Sequence, residues 1–582
     1  MPETTRKTQT FIHGASILIF ATAITKILGA IYKIPLGWLI DETAMGYFTT
    51  AYDIYLPIYS LAMAGLPVAV SRMVSQRMAE GRFRDVRQTF HVAKRAFMIT
   101  GAISFVLLIA LSYPYVMFNR NFNAIFAIWM IAPSVLFCCI TAAYRGYYEG
   151  LRNMTPTAIS NVIESAGKMV LGLGSAYTVM TVGIWQFNST GYVFGQYIDA
   201  GTVEAARVVI MPFAAAGAIL GVTLGTLVSA IFMSLLHRKK GDRLTHDELI
   251  SSPEPLRLKK TLRLLLAISI PVAIGSLATQ IGNVIDVLIV QRRVNDIAEI
   301  YPQYLYNFAG EFISEGQNYS TFLYGIYRGF VFTIFNMILP ITALVGVSAL
   351  PTVTAAWVSR DRRELKTNIE STIKLVALIA LPAALGMIAI PQGILSLLYN
   401  REGVIALGPP MLRVMGIALM FCAFCLPMGN MLQAIGKPKI PVRNILLGAV
   451  VKAIVTFWLV GNPNILIMGA PLGTLACFII IFSLNLYALC KHSKAKPNLM
   501  KIFIKPLFCA VLCGVAAWAS VGLLPRVLEL PNRVNTIIGI VLAGLVYVAA
   551  LALTRTITRA DIKMFPKGEK ILKLMARFKV IS

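Results

Sequence analysis

Over most of this chain apolar residues do not alternate with polar ones. They run in blocks of about 20, the length at which a helix crosses a hydrocarbon core. The blocks fall at residues 11–33, 44–70, 96–114, 122–144, 156–184, 207–236, 264–290, 319–350, 371–398, 404–434, 441–460, 466–490, 502–524 and 534–554, which predicts fourteen membrane-spanning helices. The first block follows a polar decapeptide and carries no small-residue cleavage site, so it reads as a span and not as a removable signal. After Arg555 the pattern changes. Ile571, Leu574, Met575 and Phe578 share one helical face of a basic tail, which predicts an amphipathic helix lying on anionic lipid, with a frayed basic end as the alternative.

Composition sharpens this picture. Of 582 residues, 57% are hydrophobic and 14% charged, whereas a soluble domain carries roughly 25% charged residues; mean hydropathy is +0.72. A soluble globular chain does not fit these values, and the net charge of +27 does not signify nucleic-acid binding. Lysine and arginine instead crowd alternate loops: thirty-nine lie on one side, in clusters such as 72–95 and 238–263, and seven on the other, namely Arg120, Arg207, Arg292, Arg293, Arg401, Arg526 and Arg533. The positive-inside rule then places both termini in the cytoplasm of a multi-pass cell-membrane protein. Most of the net charge is thus topology and attraction to anionic inner-leaflet lipids. The eight cysteines lie in apolar segments or at their inner ends, which predicts helix packing and neither disulfides nor a metal site.

The chain also repeats itself. A shift of 284 residues matches Leu66-Pro67 with Leu350-Pro351, Val74-Ser75 with Val358-Ser359, and Lys168 with Lys452; a shift of 254 pairs Thr25, Ile27 and Ile31 with Thr279, Ile281 and Ile285. The difference falls in the outer loop 292–320, read as an insertion. Six spans per copy is an even number, so both copies enter the membrane with the same orientation and are related by a pseudo-twofold axis along the membrane normal. The expected organisation is an N-lobe at 1–236 (spans 1–6), a basic, hinge-like cytoplasmic connector at 237–263 and a C-lobe at 264–490 (spans 7–12). Two extra spans at 491–556 and the basic tail at 557–582 complete it. Repeats of this kind build transporters that rock one lobe against the other, although a duplicated scaffold would leave the same trace.

Ionisable groups at bilayer depth cost several kcal/mol if they face lipid. Lys26, Lys33, Lys168, Arg328, Lys374, Arg413 and Lys452 stand there against Asp53, Glu164 and Asp286. Lys26 and Lys33, seven apart, share a helical face with Gly29 between them; Lys33 can snorkel outward, whereas Lys26 is deeper. Glu164 and Lys168, at i,i+4, can neutralise each other. Lys452 lacks such a partner on its own helix but lies near enough to the inner end to snorkel. Lys374 and Arg413 are candidates for the interfaces. Arg328 sits beside Tyr324 and Tyr327 in an apolar span with no acid following it. It reads either as paired with Asp286 or Asp53 or as a guanidinium in a cavity, suited to bidentate capture of phosphate. Prolines and glycines at Pro57, Gly65, Pro67, Pro340 and Pro351 mark places where a span can bend. An apolar lining with a cationic excess suits an anionic head group on a lipid tail better than an organic cation.

The run Thr25-Lys26-Ile27-Leu28-Gly29, Tyr32-Lys33-Ile34-Pro35-Leu36, Gly46-Tyr47, Ala51-Tyr52 and Ala64-Gly65-Leu66-Pro67-Val68-Ala69-Val70-Ser71 resembles the Gram-positive polysaccharide-biosynthesis flippases. Within them it is most similar to the stage V sporulation protein B-like lipid II flippase branch of the multidrug/oligosaccharidyl-lipid/polysaccharide (MOP) exporter superfamily. The resemblance is strongest over residues 11–80 and about 140–170. It implies a V-shaped pair of six-helix lobes, spans 13 and 14 forming a groove for a polyprenyl tail, and export of an undecaprenyl-pyrophosphate-linked peptidoglycan precursor by alternating access. It further implies that two cavity arginines of the family fall on Lys26 and Arg328, and a third at or beside Tyr32, with Lys33 adjacent. Lysine at 26 keeps the charge and loses the planar fork. The expected substrate-binding set is therefore Lys26, Tyr32, Lys33, Asp53, Lys168, Asp286, Arg328 and Lys452. No cofactor or metal is expected; the expected partners are a polyprenyl-pyrophosphate glycolipid, anionic membrane lipids and cell-wall synthesis machinery, with no nucleic acid. The competing readings are a transporter of another polyprenyl-linked glycan or teichoic acid unit, a cation-coupled drug exporter, a membrane glycosyltransferase and a structural partner in a division or sporulation complex. The glycosyltransferase fits least, since the outer loops hold no compact carboxylate pair beyond Asp41-Glu42, and zinc, phosphate-loop and nucleophile-elbow motifs are missing.

Overall fold

A computed structural model describes residues 11–63, 65–199, 201–242, 244–495, 497–527 and 531–556. The tail 557–582, expected to form an amphipathic helix, lies outside the described residues. Among the described residues the architecture is all-α apart from one small hairpin. In chain order the elements are α1 (Phe11–Leu39), α2 (Glu42–Met63), α3 (Leu66–Ala79), α4 (Phe83–Asn119), α5 (Ala124–Gly150), α6 (Thr155–Thr190), the hairpin strands β1 (Tyr192–Val193) and β2 (Gln196–Tyr197), α7 (Val203–Lys240), α8 (His246–Ser251) and α9 (Leu258–Ile285). A π-helical turn at Asp286–Val290 leads to α10 (Gln291–Ile300), α11 (Pro302–Ala309) and α12 (Tyr319–Tyr324), and a second π-helical turn at Gly325–Val331 leads into α13 (Phe332–Val358). The remainder is α14 (Arg362–Ala389), α15 (Pro391–Leu398), α16 (Glu402–Ala434), α17 (Lys439–Val460), α18 (Gly469–Ser493), α19 (Leu499–Val527) and α20 (Asn532–Leu553). Among the described residues 13 helical stretches from Glu42 onward are long and apolar enough to cross a membrane. The 29-residue α1 precedes them and corresponds to the first of the fourteen expected spans.

The helices form two compact units. One comprises the chain up to Arg292 with Ser314–Gly325, the other Arg293–Ile313 and the chain from Ile326 onward. In the first, α5 packs on α4 and α7, and α6 lies along α7; in the second, α16 packs on α14 and α18, and α17 lies along α18. The same scheme of helix pairs thus recurs in each half. Close approach is carried by small residues, as membrane helices require. A Cβ placed on Gly221 of α7 would stand 2.1 Å from the Gly172 Cα of α6. In the second unit α19 and α20 pack together, against α14 and α15, with Ile390, Cys513, Ala517 and Ala543 as a small core. The Tyr547 hydroxyl donates to the Leu378 carbonyl at 2.7 Å and fastens α20 to α14. All eight cysteines are free thiols.

Two features depart from the expected organisation. The seventh span, α9, which the repeat assigns to the second half, packs on α2, α3 and α4 inside the first unit. The reason lies in the second expected span, which is broken: α2 ends at Met63 and α3 restarts at Leu66 with Pro67 in its first turn. Gly65 at this break lies so close to α9 that a Cβ there would stand 1.9 Å from the Ser269 carbonyl oxygen. Gly65→Ala is therefore expected to push α3 off α9 and to cost about 1–3 kcal/mol of overpacking, read as a lower thermal transition of the detergent-solubilised protein. The second feature is the connector between α7 and α9. Far from hanging free as a hinge, it is strapped onto the first unit: Asp85, fully buried, accepts from the Leu256 amide at 2.8 Å, Arg82 donates to the Glu254 carbonyl at 3.2 Å, and Gln88 donates to the Leu256 carbonyl at 2.5 Å.

Candidate functional site

In the first unit three charged side chains, Arg145, Glu164 and Lys168, meet at α6. Lys168 donates to Glu164 Oε1 at 2.7 Å, the i,i+4 pair expected from the sequence. The other carboxylate oxygen, Oε2, accepts from Arg145 Nη2 of α5 at 2.8 Å. Arg145 also reaches Ser160 Oγ at 2.7 Å and Ser229 Oγ of α7 at 3.2 Å, while the two serine hydroxyls are 2.8 Å apart. One guanidinium thus ties three helices together. Gly225 lets α7 approach this turn, since a Cβ there would meet the Lys168 amide nitrogen at 2.6 Å. One carboxylate bracketed by two cations leaves the cluster with a surplus positive charge, and Lys168, its side chain 28% exposed, is the more accessible of the two cations.

A row of aromatic rings runs along α2 beside this cluster. Phe48 and Tyr52 have centroids 5.1 Å apart, Tyr52 and Tyr55 6.2 Å, and Tyr55 and Tyr59 5.3 Å in a stacked arrangement. Tyr52 and Tyr59 are within electrostatic reach of Glu164 and Lys168. Tyr32 of α1 joins the row through Phe48 at 6.1 Å, but its hydroxyl is committed: it donates to the Ala218 carbonyl of α7 at 3.1 Å, and the side chain is buried. Tyr32 therefore fastens α1 to α7 and presents no free polar group. On the Lys26–Gly29–Lys33 face of α1, Gly29 has no other atom within 4 Å of a Cβ position, so that face is open. Lys26 is exposed and makes no hydrogen bond or ion pair among the described residues; Lys33 is half-buried. Asp53, buried, accepts from the Tyr324 hydroxyl of α12 at 2.6 Å. Asp286, fully buried, opens the π-helical turn after α9.

In the second unit Arg328 lies in the π-helical turn Gly325–Val331 and is 5% exposed. Its guanidinium carbon stands 4.1 Å from the centre of the Phe332 ring, a cation–π stack one turn further on. Tyr327 beside it hydrogen-bonds with Thr474 Oγ1 of α18 at 2.9 Å. Lys452 is buried in α17 and does not snorkel. Lys374 is half-buried, and Arg413 is exposed.

Lys26, Lys33, Tyr32, Asp53, Lys168 and Asp286 thus belong to the first unit, and Arg328 and Lys452 to the second. Arg145 is not legible as a site residue from hydropathy, since the apolar block ends at residue 144, whereas α5 continues to Gly150. Sequence reasoning passed over the tyrosines at 52, 55 and 59, whose i, i+3, i+7 spacing was a legible sign of one shared face. Among the described residues no group of three or more His, Cys, Asp or Glu side chains is placed to hold a metal ion.

Residues 11–199 match the family described as polysaccharide biosynthesis protein, and residues 328–458 the family described as MatE. Stage V sporulation protein B of Bacillus subtilis is 22% identical, over 96% of this chain and 98% of that protein. The lipid II flippase MurJ of the same organism is 24% identical, over 85% of this chain and 84% of its own. Among solved structures, a lipid II flippase MurJ in an inward closed conformation superposes with a TM-score of 0.58 at 14% identity, covering 92% of this chain and 98% of that one. The chain resembles the MOP superfamily in sequence and shares its fold. An inward-facing multidrug resistance transporter of that superfamily superposes with a TM-score of 0.57 at 16% identity over 81% of this chain and 96% of its own. The MOP fold accounts for fourteen long apolar helices with one pairing scheme used twice. The proteins it matches are transporters and flippases, not catalytic enzymes.

Proposed function

We propose that this protein is a flippase that carries an undecaprenyl-pyrophosphate-linked peptidoglycan precursor, lipid II, outward across the cytoplasmic membrane by alternating access of its two lobes. The observation that carries the reading is the surplus of cations among the membrane-depth charges, headed by Arg328 stacked on Phe332 in an apolar helix. A guanidinium offers a pyrophosphate two parallel donors. In the first unit, Lys26 on the open face of α1 and Lys168 beside the tyrosine row are further cations. Glu164 is engaged by both Arg145 and Lys168, one acid against two bases, and Asp53 accepts from the Tyr324 hydroxyl. The tyrosine rings supply flat apolar faces of the kind sugars stack on. Spans α19 and α20 would hold the polyprenyl tail. With both termini in the cytoplasm, an inside-negative potential assists outward movement of the anion by about 2.3 kcal/mol per charge per 100 mV. Likeness to a lipid II flippase and to a sporulation protein over most of the chain supports this branch of the family.

The test is the accessibility of lipid II to an external probe in cells depleted of this protein, with complementation of a strain lacking its own lipid II flippase. Depletion is expected to remove outer-leaflet labelling and the gene to restore growth. A second reading, export of another polyprenyl-linked glycan, is favoured by the polysaccharide-biosynthesis match over residues 11–199; failure to complement together with loss of a surface polymer would select it. A cation-coupled drug exporter finds support in the MatE match, but Glu164, the carboxylate such coupling would use in α6, is held by two cations. Unchanged drug susceptibility after deletion is the expected result.

A further inference from the structure

Helix α4 has 37 residues, roughly 55 Å at 1.5 Å per residue, far more than the roughly 30 Å hydrocarbon core. Its apolar block begins at Ala96, so the first three turns project toward the cytoplasm, given the orientation read from the loop charges. On those turns Arg84, Arg87, Gln88 and His91 fall at i, i+3, i+4 and i+7 and form one stripe. The stripe is one wall of a cleft of about 340 Å³, and Leu249 and Pro255 of the strapped connector complete its lining.

The donors of this cleft are anchored from behind. Arg84 Nε donates to the Leu249 carbonyl at 2.8 Å, and the Arg84 amide donates to Ser252 Oγ at 3.1 Å. Arg87 Nε donates to Asp242 Oδ2 at 2.6 Å, and His91 Nδ1 donates to the Arg87 carbonyl at 2.8 Å. Each guanidinium is therefore fixed through Nε, while its two Nη groups make no hydrogen bond or ion pair among the described residues. Held in place in this way, they lose little freedom on meeting an anion. The facing wall cannot collapse, because Asp85 and Arg82 grip it and α8 carries a full capping box between Thr245 and Glu248. Asp242 offsets Arg87 and leaves Arg84 uncompensated, a charge that matches a phosphodiester better than a polyphosphate. Ile250 on the connector is 61% exposed, an apolar side chain suited to a membrane surface.

We propose that this cleft between α4 and the connector is a binding site for a phosphodiester, supplied by the head group of an anionic inner-leaflet phospholipid. The Nη pairs of Arg84 and Arg87 would take the phosphate oxygens, and Leu249 and Pro255 the glycerol end. The site lies apart from the membrane-depth charges, and its test does not depend on which glycolipid is exported.

The full-length protein, purified in mild detergent, would be titrated with phosphatidylglycerol or phosphatidylcholine and followed by native mass spectrometry. The expected result is preferential retention of phosphatidylglycerol, weakened about tenfold in R84Q/R87Q, the loss of two charge-assisted contacts. Leu249→Trp, which fills the cleft and keeps both arginines, is expected to weaken retention as well; it carries the test if the double variant does not fold. Equal retention by the wild type and both variants would overturn the site, since it would leave only diffuse attraction to a basic surface. Displacement of the lipid by inorganic phosphate at comparable concentration would overturn the lipid as its source.

Discussion

Arg328→Ala is expected to abolish outer-leaflet accessibility of the exported glycolipid while the protein remains in the membrane at normal levels. Arg328 is 5% exposed, with its guanidinium stacked 4.1 Å from the Phe332 ring centre, so any anion it meets does so away from bulk water, where truncating one partner of a charge pair costs about 2–5 kcal/mol. That corresponds to a loss of roughly thirtyfold to several thousandfold in transport rate or apparent affinity. Arg328→Lys keeps the charge but gives up the fork and much of the stacking, and is expected to fall between the two. The measurement is probe labelling normalised to membrane-fraction protein. Wild-type labelling in Arg328→Ala would remove this residue from substrate binding.

Glu164→Gln is expected to damage the fold more than the transport cycle. It would leave Arg145 and Lys168 without the carboxylate that both touch, at 2.8 and 2.7 Å. Breaking a buried pair by removing one partner costs about 3–5 kcal/mol. A markedly lower onset of thermal unfolding and reduced accumulation should follow. Lys168→Gln leaves the Arg145–Glu164 contact and its serine partners in place, so its stability should change by only about 1 kcal/mol, and any large loss of transport in that variant reports substrate contact. Arg145→Gln combined with Glu164→Gln should cost less than the sum of the two, because the pair is removed as a unit. Equal thermal transitions for wild type and Glu164→Gln would show that the cluster is hydrated and carries little of the packing energy.

The contrast between these two sites shows how far local chemistry could be read in advance. The Glu164–Lys168 contact follows from helical spacing alone, and so does the placement of Phe332 one turn from Arg328. Arg145 was hidden because hydropathy marks where a helix enters lipid and not where it ends: α5 runs on past the apolar block and brings a cation back to a carboxylate on α6. Tyr32 looked like a binding residue by position, yet its hydroxyl is spent on the Ala218 carbonyl, a partner 186 residues away. The connector looked like a hinge because it is polar and charged, yet its backbone amide and carbonyl at Leu256 are held by the Asp85 and Gln88 side chains of α4.

Spans, charge asymmetry and duplication were determined by the amino-acid order itself, because each rests on short-range physics: a block of apolar residues near 20 long has a single comfortable environment, and lysine and arginine resist translocation wherever they stand. The assignment of α9 to the first unit, the break at Gly65, the two π-helical turns flanking the insertion, and the triangle of Arg145, Glu164 and Lys168 were decided only in three dimensions. Each of them depends on how closely one backbone can approach another and on which remote donor meets which acceptor. Those quantities are set by the packed neighbours and not by any window of the chain.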